Sequence, residues 1–64
     1  MTRIKEVLKE KGISQTWLAN KLNKSYNTIN EYARNARQPS LEDLYKIAEI
    51  LDVDIKVLIV SNKE

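Results

Sequence analysis

The side chains that could do chemistry in this sequence are hydroxyls, amides, carboxylates and cationic groups, for it contains neither histidine nor cysteine. Their absence removes the disulfide framework and the usual zinc constellations. A single glycine leaves no glycine-rich phosphate loop, and a core this small offers little room for a substrate pocket. The reading is therefore not an enzyme, with no cofactor and no metal. What remains is recognition by charge and hydrogen bonding. Residues 1 to 38 hold eight cationic side chains (Arg3, Lys5, Lys9, Lys11, Lys21, Lys24, Arg34, Arg37) against three acids, and residues 39 to 64 hold three lysines against six acids. The net charge of +2 thus conceals halves of +5 and −3. Such a polarity orients a molecule toward a polyanion with its amino-terminal half leading, although two ordinary solvated faces would give the same counts.

The stretch from Ser14 to Ala33 must position these groups. Two short amphipathic segments, each opened by a serine, meet at Asn23-Lys24 with no room for a long loop. Ser14 stands where a hydroxyl can accept from a free amide of a first helical turn. Leu18, Ala19 and Leu22 then share one side of a helix. Ser25 repeats the device, with Ile29, Tyr32 and Ala33 as the apolar stripe and Asn27, Asn30, Glu31 and Arg34 opposite. Asparagine tolerates the left-handed backbone at modest cost, which suits Asn23 to the turn.

Around this pair, residues Arg3 to Lys11 form a first helix with Thr2 as its cap, Glu6 in the first turn, and Ile4, Val7 and Leu8 facing the core. Gly12, just past its end, suits a left-handed C-terminal cap. Pro39 disfavours a helical Gln38 and stops the third helix. Ser40 caps a fourth helix, with Asp43 in a capping-box-like place and Leu41, Leu44, Ile47, Ala48 and Leu51 as its buried stripe. At 64 residues the chain is one small domain, residues 1–64, burying roughly 60% of its surface. No apolar run approaches the ~20 residues of a membrane span, and no signal-peptide block opens the chain. A soluble, cytoplasmic protein is expected.

The spacing of Gln15, Ala19, the turn residue Asn23, Ile29 and Tyr32 resembles the helix-turn-helix of the phage-repressor and Cro-like (XRE-type) DNA-binding proteins. The resemblance runs from about Arg3 to about Ile59 and includes the Gly12-Ile13-Ser14-Gln15 and Gln38-Pro39-Ser40-Leu41 links. It implies an all-α, compact domain of four to five helices. In that family a short fifth helix, opened by a residue like Asp54, follows the fourth. The β-branched run from Val53 to Val60 by itself favours a strand, and the expectation adopted is a helix from Ile55 to Leu58 with Ile59 to Lys63 extended.

The resemblance further implies that the third helix enters the DNA major groove. Tyr26, Asn27, Thr28 and Glu31 then fall where the family reads bases. Asn27 can pair with adenine N6 and N7, Thr28 can meet a thymine methyl, and Glu31 can accept from cytosine N4. Gln15, at the amino end of helix two, matches the family's phosphate-clasping glutamine, and Lys24, Arg34, Asn35 and Arg37 flank helix three as further phosphate contacts. Trp17 lies about 145° from the stripe of its helix and should point elsewhere, toward the DNA backbone or a partner chain. Tyr45, Ile50 and Ile59 are the other candidates for an interface, because Cro-like proteins commonly bind two half-sites as homodimers. The function expected is a sequence-specific transcriptional regulator of double-stranded DNA, a repressor. Its rival is a protein-interaction module of the antitoxin kind that uses the same fold to hold a partner protein.

Overall fold

The computed structural model describes residues 2–59. Its elements are α1 (Ile4–Lys11), α2 (Gln15–Leu22), α3 (Tyr26–Ala33), α4 (Leu41–Leu51) and α5 (Ile55–Leu58), with no strand element among the described residues. The all-α, five-helix reading holds. Serine caps open three of them. Ser14, Ser25 and Ser40 sit in extended backbone and accept from the amides of Trp17, Thr28 and Asp43 at 3.0, 3.1 and 3.1 Å. Asp54 accepts from the Lys56 amide at 3.0 Å and opens α5.

The four longer helices all end the same way. Gly12, Asn23, Asn35 and Asp52 have φ values of 69°, 59°, 60° and 58°. In each case the following residue donates back to the carbonyl five positions earlier: Ile13 to Leu8, Lys24 to Ala19, Ala36 to Glu31 and Val53 to Ala48, at 2.9 to 3.0 Å. This is the Schellman closure, which satisfies carbonyls that a helix end would otherwise leave unpaired. Only one of the four sites is occupied by glycine. Asparagine and aspartate serve at the others, as their tolerance of the left-handed region allows.

The core is built from one apolar stripe per helix: Ile4, Val7 and Leu8 of α1, Leu18 and Ala19 of α2, Ile29 and Tyr32 of α3, Leu44, Ile47, Ala48 and Leu51 of α4, and Leu58 of α5. Ile13, Leu22, Ile50, Val53 and Ile55 seal its edges. Leu41 departs from expectation. It continues the α4 stripe one turn toward the amino end, but as the first helical residue it lies beyond the edge of the core and is 62% exposed.

Thr2 is also reassigned. Arg3, with no side-chain cap, precedes α1, while Thr2 is buried and forms an antiparallel bridge with Ile59. The Arg3 amide donates to the Leu58 carbonyl at 2.8 Å. The two ends of the described chain are thereby tied together beside the core. Ile59 is extended, with φ −106° and ψ 129°; the expected extension of residues 60–63 lies outside the described residues. Among those described, no helix is long and apolar enough to cross a membrane.

Candidate nucleic-acid interface

Helices α2 and α3 meet across the three-residue link of Asn23, Lys24 and Ser25. With Ile29, Tyr32 and Ala33 buried, the opposite face of α3 is centred between Asn27 and Glu31, with Arg34 and Asn30 beside them at 100° per residue. Tyr26 is 53% exposed at the amino end of the helix, and Asn27 is exposed beside it. Thr28 is half-buried, its hydroxyl 3.0 Å from that of Ser25. A polar surface thus runs along α3 on the side away from its buried stripe, exposed at Tyr26, Asn27 and Arg34.

Side-chain hydrogen bonds fix its orientation. The Asn30 Nδ2 donates to Gln15 Oε1 at 3.0 Å, and Arg34 Nε donates to Asn30 Oδ1 at 3.1 Å. The relay from α3 to α2 uses the oxygen of Gln15 and leaves its amide nitrogen with no side-chain or backbone partner among the described residues, a donor suited to an anionic oxygen. Asn30 is the member the sequence reading left out of the site. Its place between a glutamine fifteen residues earlier and an arginine one turn later marks it as the link between the two helices.

Two of the expected cationic contacts already have partners. Lys24 Nζ lies 3.4 Å from Asp43 Oδ2, and that carboxylate also accepts the Tyr32 hydroxyl at 3.1 Å. The Asp43 side chain is therefore turned toward α3 and the turn instead of completing a capping box with Ser40. Burial, and then the bond to Asp43, push the Tyr32 phenol pKa above its ordinary value. Arg37 Nε lies 3.1 Å from Glu31 Oε1, so a residue expected to read bases and one expected to hold phosphate face each other.

Asn35, expected to contact phosphate, has a tertiary role. Its Oδ1 accepts the Thr2 amide at 2.9 Å, and its Nδ2 donates to the Thr2 carbonyl at 3.2 Å. Both ends of the amide are thus occupied.

The interface candidates differ in exposure. Trp17 is 42% exposed and carries the Lys21 ammonium 5.2 Å from its ring centroid, an intramolecular cation–π contact. Tyr45 and Ile59 are exposed, whereas Ile50 is half-buried against the core. No pocket is found among the described residues.

The order of elements and the α2–turn–α3 geometry agree with a sequence profile described as Helix-turn-helix, which matches residues 4–58. The chain belongs to the XRE-type helix-turn-helix family. Two solved structures extend the likeness of this helix-turn-helix protein to three dimensions. A crystal structure from Bacteroides fragilis, described as a candidate DNA-binding protein, is 48% identical with a TM-score of 0.89, covering 91% of this chain and 94% of that one. The N-terminal DNA-binding domain of SinR from Bacillus subtilis is 35% identical with a TM-score of 0.76, covering 97% of this chain and 91% of that one. A comparison with curated protein sequences finds no significant match.

Proposed function

We propose that this protein is a sequence-specific DNA-binding regulator of transcription, acting as a repressor, with α3 seated in the major groove of double-stranded DNA. The observation that carries the reading is the exposed face of α3, on which Tyr26, Asn27, Glu31 and Arg34 stand free of the core while Gln15 and Asn30 lock the helix to α2. Family membership and the DNA-binding description of the SinR domain support it. Tyr26, Asn27, Thr28 and Glu31 read base edges. The amide nitrogen of Gln15, with Arg34 and Lys24, holds phosphates; Lys24 shares its charge with Asp43. Asn27 is the adenine reader, and since no cation occupies the amino-terminal half of α3, the preferred site leans toward adenine and thymine.

A body 35 Å in its longest dimension is comparable with the ~34–36 Å of one helical turn of DNA. Such a body on a promoter excludes other proteins from the same stretch, which is how it would repress. Binding as a homodimer gives two half-sites about one turn apart. Selection of bound duplexes from a random pool at near-physiological salt tests both points. Enrichment of a palindrome is the expected result. A lone half-site would keep the DNA reading and remove the dimer. Asn27→Ala and Arg34→Ala should each reduce affinity for the selected duplex, Asn27→Ala by about 1–3 kcal/mol, without changing folding. Absence of enrichment by a folded protein would shift the assignment to the protein-interaction module, with Trp17 as its first candidate contact.

A further inference from the structure

Of the ion pairs among the described residues, one lies on the face of α3 assigned above to the groove. Glu31 is about 30° from the centre of that face, one turn beyond Asn27, and its carboxylate holds Arg37 at 3.1 Å. Its main chain holds the same segment. The Glu31 carbonyl accepts from the amides of Ala36 and Arg37 at 2.9 and 3.3 Å, so the chain leaving α3 curls back over Glu31 and delivers Arg37 to it. A pair with one exposed member adds little to stability, and here the Arg37 side chain is 58% exposed and that of Glu31 28%. A carboxylate on a surface meant for a polyanion also weakens binding unless it gains a partner there.

We infer that Glu31 is a specificity-determining residue that acts through Arg37, withholding that arginine from phosphate on duplexes that do not satisfy the carboxylate. The inference rests on the groove placement of α3 proposed above. Arg37 can turn to a phosphate only by leaving Glu31 unpaired beside the DNA. A cytosine opposite Glu31 supplies an N4 donor to the carboxylate, which frees Arg37 for the backbone and leaves both charges paired. At any other base, either Arg37 stays on Glu31 and the phosphate contact is lost, or the contact forms and a carboxylate is stranded. Discrimination at that position therefore includes a phosphate contact as well as a base contact. The Lys24–Asp43 pair is different in kind. Asp43 belongs to α4 and keeps the Tyr32 hydroxyl as a second partner, so release of Lys24 does not strand a charge in the groove.

The test uses the full chain as wild type, Glu31→Gln, Arg37→Ala and the double variant. Each is titrated across a salt series with the selected duplex and with a duplex lacking its sequence. Glutamine retains an acceptor for Arg37 while removing the charge, and circular dichroism verifies folding. On the unrelated duplex, Glu31→Gln is expected to tighten binding at least threefold and to steepen the log–log salt slope by about 0.9, the increment for one added phosphate contact. Arg37→Ala alone should leave the slope unchanged while weakening binding, since it strands the Glu31 carboxylate, and in the double variant the steeper slope should vanish. The ratio of affinities for the two duplexes should fall in Glu31→Gln. Glu49→Gln, which removes an exposed carboxylate of α4 with no ion-pair partner among the described residues, controls for net charge and should leave the slope unaltered. A slope unmoved by Glu31→Gln, or one already flattened by Arg37→Ala in the wild-type background, would overturn the inference. So would an unchanged ratio in Glu31→Gln with a wild type that does prefer its selected duplex. A wild type that prefers no duplex would instead overturn the proposed function on which the inference rests.

Discussion

Asp52 holds a left-handed backbone, φ 58°, at the carboxyl end of α4, which sets a negative side chain against the negative end of the helix dipole. Asp52→Asn keeps the tolerance for that backbone and removes the charge. It should raise stability by about 0.3–1 kcal/mol, a gain of ~2–6 °C in Tm for a domain of this size, read by thermal unfolding at pH 7. Gly12 isolates the conformational part of the same problem. A Cβ there would meet nothing within 4 Å, so Gly12→Ala loses stability through its backbone alone. Tyr32 makes a second prediction at this scale. Its phenol pKa is raised in the folded state, so the contribution of this group to stability is complete below the unfolded value of about 10 and is lost as pH rises through the folded value. Urea unfolding from pH 8 to 11.5 should show wild type losing more stability above pH ~10 than Tyr32→Phe, which has no proton to lose. Equal losses in the two proteins would mean that Tyr32 does not titrate as the fold implies.

Helix α3 has eight residues, too few to persist alone in water. Its order comes from the Ser25 cap, from the packing of Ile29, Tyr32 and Ala33, and from the Gln15–Asn30 bond to α2. Gln15→Glu separates that last support from the proposed phosphate contact. A glutamate still accepts from Asn30 but places a carboxylate oxygen where an amide donor stood. Unfolding by urea should move little, while duplex affinity falls on the order of tenfold, ~1.4 kcal/mol; an equal loss in both would make Gln15 structural only. The sequence made this level the most legible. The serine caps and the turns at Gly12 and Asn23 depend on residues within one or two helical turns of each other, so spacing alone discloses them. Gln15 is singled out by family pattern, whereas its partner Asn30 carries no signal in the sequence beyond its place opposite the apolar stripe. The pairings of Lys24 with Asp43 and of Asn35 with Thr2 were hidden because each depends on how α1, α3 and α4 converge. Leu41 was misread for the complementary reason: periodicity gives the direction of a side chain and not where the core ends.

At the scale of the molecule, a short chain without cross-links is closed by residues near the two ends of its described part. The Arg3 amide on the Leu58 carbonyl, the Thr2–Ile59 bridge and the Asn35 side chain on Thr2 join the amino-terminal segment, the exit of α3 and α5. Leu58 is the apolar member of that closure, with no exposed surface, although α5 itself has only four residues. A helix so short has no stability of its own, so α5 is held by Leu58 and by these bonds. Leu58→Ala removes a fully buried side chain, which typically costs 2–5 kcal/mol, about 3 kcal/mol being a fair expectation here. A domain of 64 residues has roughly 3–10 kcal/mol in total. The variant should therefore unfold at markedly lower urea, and amide exchange should rise first at Arg3 and Asn35, whose bonds depend on the closed ends. Duplex affinity, measured where the variant is still folded, should fall less than stability does, because the α2–α3 pair keeps its own bond between Gln15 and Asn30. If exchange at Arg3 and Asn35 stays as slow as in wild type while global stability drops, the ends are held independently of α5 and the closure is not one unit.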